Sequence, residues 1–409
     1  MPSTAGAALD GTRVLDLTQV MAGPFCTMLL ADLGADVVKI EPPGGDMTRR
    51  MPGGAGTDTP AYNAVNRGKR SVVLDLKTPD GRDAVLRLAR SADVFVENSR
   101  PGAMAALGLD YPSLAAINPA LVYASISGFG QTGPDRSKGG LDLIAQGVSG
   151  IMSVTGAPDG PPMKAGVPLT DLGAALFAVT GILAALVYRT RTGIGQQVDT
   201  SLVDAGVALS VWEATEYFAG AGVPAPLGSA HRMVAPYQAI RCADGFVTVG
   251  ASTDRMFERL CEVLGHPEWA QQAEFADNPS RVRNRAALAD RIEAVTRERS
   301  RRHWLDAFEA RDVPAGPINR YDEVFDDRQV LAREMVVGVD HPTLGRIRTL
   351  GSPLKLSATP PQVHRRAPLL GEHTAVVLRE AGLDEAAIAR LTGGGARPAT
   401  RQPGRSAPP

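Results

Sequence analysis

Cysteine is scarce. Cys26, Cys242 and Cys261 are the only three in 409 residues. Their scatter offers neither a disulfide framework nor metal-ligand spacing. The sequence therefore predicts buried thiols in a reducing compartment and no metal site. An excess of either charge is also missing: 43 basic residues face 44 acidic ones, for a formal net charge of −1. That balance speaks against a nucleic-acid partner or a membrane-surface partner. The opening MPSTAGAALDGTRVLDL has no basic stretch leading into an apolar one. No signal peptide is expected, and the protein is assigned to the cytoplasm. GxGxxG is missing after the first strand, which argues against an NAD enzyme, and GxSxG is missing altogether, which argues against a Ser-His-Asp thioesterase. There is no internal repeat.

One stretch does stand out, and the chain is read around it. From Leu172 to Tyr188 no residue is charged. Thr170 and Asp171 precede the run, Arg189 and Arg191 close it, and Gly193 and Gly195 follow. A polar start, basic residues in the last turn and glycine at the stop are the marks of one helix. A helix apolar on every side belongs in the centre of a large core or in a membrane. The run lies at the short edge of spanning length, so a core helix is expected. Asp171 then has two readings. It is either the N-cap, a position that favours Asp, or a first-turn carboxylate held ionised by the helix dipole and free to attack an acyl group. Thr170 is an equal candidate for the cap, and the local sequence leaves the choice open.

Ahead of this helix, short apolar strands alternate with helical stretches. Strands are expected at Val14–Leu17, Val37–Ile40, Ser71–Leu76, Val94–Val96 and Leu121–Ile126. This alternation predicts an α/β fold with a parallel sheet covered on both faces. Such sheets bind ligands beyond the carboxyl ends of their strands, here Met21–Gly23, Glu41–Pro43, Asn98–Pro101 and Gly128–Gly130. The loop between Glu41 and Ser71 carries Arg49, Arg50, Arg67, Lys69 and Arg70, a cluster able to receive phosphates. After the central helix, Val198–Leu209 and Trp212–Phe218 read as helical, and Ala219–Pro226 as a linker. Gln238–Gly250 reads as a hairpin turned at Ala243-Asp244-Gly245, and Val336–Val339 with Arg346–Leu350 as another. The expected division is a large domain over 1–218, a small α+β domain over 219–325, a return segment over 326–391 and a disordered tail over 392–409.

Seven ordered segments together resemble the family III CoA-transferases, the group with formyl-CoA transferase and 2-methylacyl-CoA racemase. They are Val14–Asp46, Asn66–Lys77, Asp93–Gly102, Ser125–Pro134, Thr170–Asp199, Asp312–Asn319 and Ala367–Thr374. The resemblance covers nearly all of the chain except its first residues and its tail. It implies a Rossmann-like large domain built from both chain ends, a smaller domain and an interlocked homodimer. It places the nucleophile at Asp171. It places the CoA site at Met21, Ala22, Leu74 through Lys77 (with Asp75), Asn98, Ser99, Arg100 and Lys138. CoA thioester is implied as substrate rather than as a resident cofactor, with small carboxylic acids as partners and succinyl-CoA as a frequent donor. The implied chemistry runs through an anhydride and an aspartyl-CoA thioester, with oxyanion donors sought at Gly128–Gly130, Gly139-Gly140 or Gly228. Formyl-specific members carry Gln at the position of Met21 and Arg at that of Pro42, departures that speak against the formyl/oxalate substrate pair.

Two rivals accompany this reading. Racemases of the group use a Gly-His-Asp element as one base, and here it reads Gly140-Leu141-Asp142, where leucine takes no proton. His231 is the other histidine to weigh near the site. A non-catalytic CoA-binding protein is the second rival, and Asp171 argues against it. For a second substrate carboxylate, Arg232 and Lys164 are the candidate cations.

Overall fold

The computed structural model describes residues 6–53, 58–363 and 365–393. The expected disordered tail lies outside the described residues except for Thr392 and Gly393, which end a helix. The chain divides into two compact units. The first comprises Met1–Gly150, Gly166–Ala214 and Leu331–Pro409, and the second Ile151–Ala165 and Thr215–Val330.

The first unit is built on six strands: β1 (Arg13–Leu17), β2 (Asp36–Glu41), β3 (Arg70–Val73), β4 (Val94–Glu97), β5 (Val122–Ser127) and β6 (Gln197–Ser201). Their order is β3-β2-β1-β4-β5-β6 and every pairing is parallel. This is the doubly wound arrangement, whose order reverses between β1 and β4. The connecting helices are α1 (Ala22–Asp32), α2 (Pro60–Asn66), α3 (Pro79–Ala89), α4 (Ala103–Ala106), α5 (Tyr111–Ile117) and α6 (Asp142–Val148). After α7 (Ile151–Val154), which groups with the second unit, come α8 (Leu169–Thr192) and α9 (Leu202–Leu209).

Alternate residues of each strand feed two cores, because successive side chains point to opposite faces. Val14, Val37, Val94, Val122 and Ala124 pack with α1 and α8 on one side. Leu15, Val38, Val72, Phe95 and Tyr123 pack with α3 on the other, joined there by Val377, Leu378 and Ile388 from near the C-terminus. The hairpin β10 (Val336–His341) and β11 (Gly345–Leu350), with α17 (Thr374–Glu380) and α18 (Glu385–Gly393), belongs to this unit. The segment before α17 runs beside β3. Ser71 O accepts from the His373 N–H at 2.9 Å, and Thr374 Oγ1 accepts from the Val73 N–H at 3.1 Å.

The helix α8 has the expected extent. Gly193 stops it at φ 73°, donating its N–H to Arg189 O at 2.8 Å. Its inner face is made of small residues, Ala174, Ala175, Ala178 and Ala185, with Ile182. At Gly181 a Cβ would stand 2.6 Å from Val198 Cγ1, so the missing side chain lets the helix close on β6. Burial on every side does not occur. Leu176, Phe177, Val187 and Tyr188 are exposed. Among the described residues α8 is the one helix long and apolar enough to cross a membrane, and half of its most apolar window is buried within the chain.

Three expectations need correction. Val198–Leu209 is not one helix: residues 197–201 form β6, paired with β5 from Tyr123↔Gln197 to Ser127↔Ser201. As an edge strand with the sequence QVDTS, it lacks the apolar run that marked the others. The third strand ends at Val73, not Leu76. The long loop after β2 contains a turn of 3-10 helix, Met47–Arg50, and α2, which Thr59 caps by accepting from the Tyr62 N–H.

In the second unit, β7 (Tyr237–Cys242) and β8 (Gly245–Gly250) form the expected hairpin, and β9 (Ala315–Pro317) joins it antiparallel. They share a core with α11 (Asp254–Val263) and α14 (Arg301–Ala310), in which Ile240, Val247, Phe257, Leu260, Trp304 and Phe308 are buried. Ile151–Ala165 groups with this unit rather than with the stretch it adjoins in sequence. Within the unit, Gly156 O accepts from the Gly228 N–H at 2.8 Å. All three cysteines are buried thiols.

Candidate active site

The reversal of strand order opens a crevice beyond the carboxyl ends of β1 and β4. The chain leaves β1 there through residues 18–22 and leaves β4 through residues 98–100. The Asn98 side chain joins the two. Its Oδ1 accepts from the Gln19 N–H at 2.9 Å, and its Nδ2 donates to Gln19 O at 2.8 Å. The next residue, Val20, sits at φ 71°, in the left-handed region. For an L-residue that conformation costs about 1–2 kcal/mol, and a β-branched side chain is a true outlier there. Met21 follows, half-buried, and then Ala22, buried at the start of α1, whose N-terminus has no side-chain cap.

Below this edge the chain buries paired charges. Lys69 Nζ donates to Asp16 Oδ2 at 2.9 Å, to Asn66 Oδ1 at 2.8 Å and to Pro24 O at 2.9 Å. Lys39 pairs with Asp46 at 2.9 Å and donates to Thr18 O at 2.7 Å. Arg49 is bidentate on Glu41, at 2.7 and 2.8 Å. Burial alone would raise the carboxyl of Asp16, but Lys69 and Lys39 hold it well below its usual range. The basic cluster expected to receive phosphates is therefore engaged elsewhere. Arg49, Lys69 and Arg67 (on Asp32) are buried ion pairs, and Arg70 bonds Asp36 and Glu380. Arg50 is exposed and donates to Gly44 O.

The remaining sequence candidates lie along the same edge. Leu74 is buried, its N–H on Glu41 O at 2.9 Å, while Asp75 accepts from the N–H of the exposed Lys77 at 3.0 Å. Ser99 donates its N–H to Glu97 at 2.7 Å. Arg100 lies against Gly139, where a Cβ would stand 3.0 Å from its Nη2. Gly128 and Gly140 touch backbone to backbone: a Cβ on Gly128 would come within 2.4 Å of Gly140 Cα. Arg100 and the glycines beyond β5 thus share one place. Lys138 is exposed and paired with Asp135 at 2.8 Å. A cleft of about 250 Å³ lies beside the end of β4, the middle of β5 and the start of β6, lined by Glu97, Arg100, Tyr111, Ser125, Gln131 and Gln197. Burial pushes Glu97 up to about 7 against the restraint of the Ser99 N–H, and burial also raises Asp199.

At the start of α8, neither Thr170 nor Asp171 is the cap. Pro168 holds that position without a side-chain bond. The capping function is supplied by Asp142, the first residue of α6. Its Oδ1 accepts from the Thr170 N–H at 3.0 Å and from the Thr170 hydroxyl at 2.8 Å, while its Oδ2 accepts from Gln146 Nε2 at 2.7 Å. Asp171 is the third residue of the helix and half-buried. Burial, then the charge of Asp142, push its carboxyl up to about 6. Burial and Asp142 thus act against the helix dipole, which favours the charged form, and at pH 7 the carboxylate is still the major form. Asp142, Glu97 and Asp199 were not among the residues singled out from sequence. Only Asp142 had a signal, as the last residue of the Gly140-Leu141-Asp142 element.

His231, Arg232, Lys164 and Gly228 belong to the second unit, Asp171 to the first. His231 Nδ1 accepts from the Met233 N–H at 3.1 Å, and its ring meets Tyr237 edge-on at 5.1 Å. Arg232 donates to Ala225 O at 3.0 Å and stands 3.9 Å from Glu216. Lys164 is exposed.

A six-stranded parallel sheet in doubly wound order defines an α/β protein of the Rossmann-like class, with a half-buried carboxylate in the first turn of its long apolar helix. The chain belongs to CoA-transferase family III, whose profile matches residues 9–374, and it is an enzyme of that family. It is 43% identical over 380 residues to the succinate–glutarate CoA-transferase of Agrobacterium fabrum, covering 91% of this chain and 95% of that one. It is 45% identical over 386 residues to the succinyl-CoA:mesaconate CoA-transferase of Haloarcula hispanica, covering 92% and 97%. A crystal structure of a CaiB/BaiF-family protein from Brucella suis superposes with a TM-score of 0.83 at 40% identity, over 92% of this chain and 100% of that one.

Proposed function

We propose that this enzyme moves CoA from succinyl-CoA to a small dicarboxylic acid through an aspartyl-CoA thioester on Asp171. The observation that carries the reading is Asp171 itself, half-buried in the first turn of α8 with its carboxyl raised to about 6. Such a group is ionised at neutral pH yet poorly solvated, which makes it a better nucleophile than a surface carboxylate. The relatives named above act between succinate and another dicarboxylate, which supports the substrate class.

In the proposed sequence, an Asp171 oxygen attacks the thioester carbonyl of the donor. The C–S bond breaks, leaving a mixed anhydride and CoA thiolate. The thiolate attacks the aspartyl carbonyl and releases the donor acid, with the CoA now on Asp171. The acceptor carboxylate then attacks that thioester, and the same two steps run in reverse restore free Asp171. The thioester free energy passes from acid to acid, so ATP has no part in it. In this reading CoA lies along the carboxyl edge at Met21, Ala22, Leu74–Lys77, Asn98–Arg100 and Lys138, with no metal and no resident cofactor. Backbone N–H groups of the Gly128 and Gly139-Gly140 contact are the oxyanion donors in the first unit.

The test is covalent trapping. Incubation with succinyl-CoA followed by hydroxylamine or borohydride should modify Asp171 alone, read by peptide mass. Asp171→Asn should lose the label and several powers of ten in transfer rate, as is typical for a missing nucleophile. Labelling elsewhere, or an Asn variant near the wild-type rate, sinks the mechanism. A cytoplasmic, interlocked homodimer completes the proposal, because the exposed Leu176, Phe177, Val187 and Tyr188 on α8 need a cover. Light scattering should give about twice the 42.9 kDa chain mass, and an active monomer would end that part.

A further inference from the structure

We infer that Asn98 and Val20 work as one spring-loaded positioning device. The Asn98 amide staples a strained turn beside the CoA edge, so Asn98 serves the CoA site through that turn and its own backbone, and its side chain does not itself touch CoA. The inference rests on CoA occupying the edge beside Met21 and Ala22. Both hydrogen-bonding ends of the amide are committed to one residue. Oδ1 takes the Gln19 N–H at 2.9 Å and Nδ2 gives to Gln19 O at 2.8 Å. That closed pair, made by a loop after β4 to a loop after β1, fixes Gln19 across the point where strand order reverses.

The reason for so complete a clamp lies one residue on. Val20 is left-handed at φ 71°, where glycine is at ease and a β-branched residue is not. Left alone, this residue would relax towards negative φ and swing Met21 and the entry to α1. Contacts on both sides resist that movement. Lys39, itself held by Asp46, donates to Thr18 O at 2.7 Å, and the Val20 N–H lies 3.4 Å from Asp46 Oδ1. Thr18 is also held through its N–H by Asp16 at 2.9 Å. Behind the turn, a Cβ at Gly23 would come within 2.4 Å of Thr18 Cβ, so α1 starts in contact with the clamped strand end. A strained conformation persists only where its surroundings over-determine it, and such places serve binding sites. Asn98 therefore acts through Val20 on Met21 and Ala22.

The experiment is a double-mutant cycle read by calorimetric titration with free CoA, which needs neither the right acid pair nor a working nucleophile. Asn98→Ala should weaken CoA binding by about thirtyfold in the Val20 background, with the urea midpoint recorded beside it. In the Val20→Gly background, where φ 71° carries no strain, the same replacement should weaken it only about threefold. A direct contact between the Asn98 side chain and CoA predicts equal losses in both backgrounds, and that result overturns the proposal. So does full-strength binding by Asn98→Ala alone. If Asn98→Ala does not fold, Asn98→Asp makes the same test, keeping the acceptor for Gln19 N–H and losing the donor to Gln19 O. Failure of the Asp171 mechanism would leave this binding cycle unchanged, so the two ideas fail separately.

Discussion

The two halves of the central sheet treat buried charge in opposite ways. Under the ends of β1, β2 and β3, acids and bases are matched: Asp16 with Lys69, Asp46 with Lys39, Glu41 with Arg49. There the carboxyls of Asp16, Glu41 and Asp46 are held below their usual range despite burial, by the cations beside them. Along β4 and β6 and at the mouth of α8, carboxyls feel the charge of other carboxyls. Asp171 feels Asp142, and Glu97 feels Asp199, and burial raises Asp171, Glu97 and Asp199. A matched pair is stable and chemically quiet. An unmatched, poorly solvated carboxylate stores free energy that a reaction can use. In the proposed mechanism one half of the sheet is thus framework and the other carries the chemistry.

The framework half should break hardest. Lys69→Met keeps the length of the side chain but leaves Asp16 buried without the cation that touches it. Removing one partner of a buried pair typically destabilises by about 3–5 kcal/mol. The urea midpoint should fall accordingly, and a change under 1 kcal/mol would mean that this half is not held by its ion pairs.

The same contrast explains what could be read in advance. Apolar strands announce themselves, so β1, β2, β4 and β5 were legible, as were α8 and the hairpin β7–β8. The strand β6 was not, because QVDTS at a sheet edge has no apolar run. The basic residues after β2 read as a phosphate site because Asp16, Asp32, Asp36 and Glu41, which bind them, come from strand and helix positions that only the fold brings near. Asp171 could be singled out by its place before the uncharged run. That Asp142 caps its helix depends on a contact 28 residues back in the chain, beyond the reach of local pattern. The left-handed turn at Val20 has no sequence mark at all, since valine is among the residues least suited to it.

In the chemical half, removing a charge should stabilise. Asp171 is raised from 3.8 to about 6, so between those values the folded state holds the proton more tightly than the unfolded one. Stability therefore falls as pH rises through that window, and the penalty is complete above about 6. Asp171→Asn removes it. With half-burial discounting the full shift, the variant should gain about 1–2 kcal/mol at pH 8. The gain should shrink towards zero at about pH 4. Urea midpoints at the two values decide it, and a variant less stable at pH 8 would show that the carboxylate is stabilised, not penalised, by its surroundings.

The smallest effect separates the two causes of that shift. Asp142→Asn keeps the carbonyl oxygen that caps α8 through the Thr170 N–H and hydroxyl, but removes the negative charge beside Asp171. Burial, the larger cause, stays, so the Asp171 carboxyl should move down only part of the way from about 6. If Asp171 attacks as a carboxylate, wild-type kcat/KM should fall on the acid side of its profile, about tenfold below its plateau one unit under that value. In the variant the acid limb should move to lower pH, making the fall at the same pH only a few-fold while the plateau changes little. The wild-type limb itself reports whether a raised carboxyl controls the rate. An acid limb left in place by Asp142→Asn would mean that burial alone sets the ionisation of Asp171. A limb displaced to higher pH would mean that Asp142 acts through the geometry of the cap, and that its charge is not what Asp171 feels.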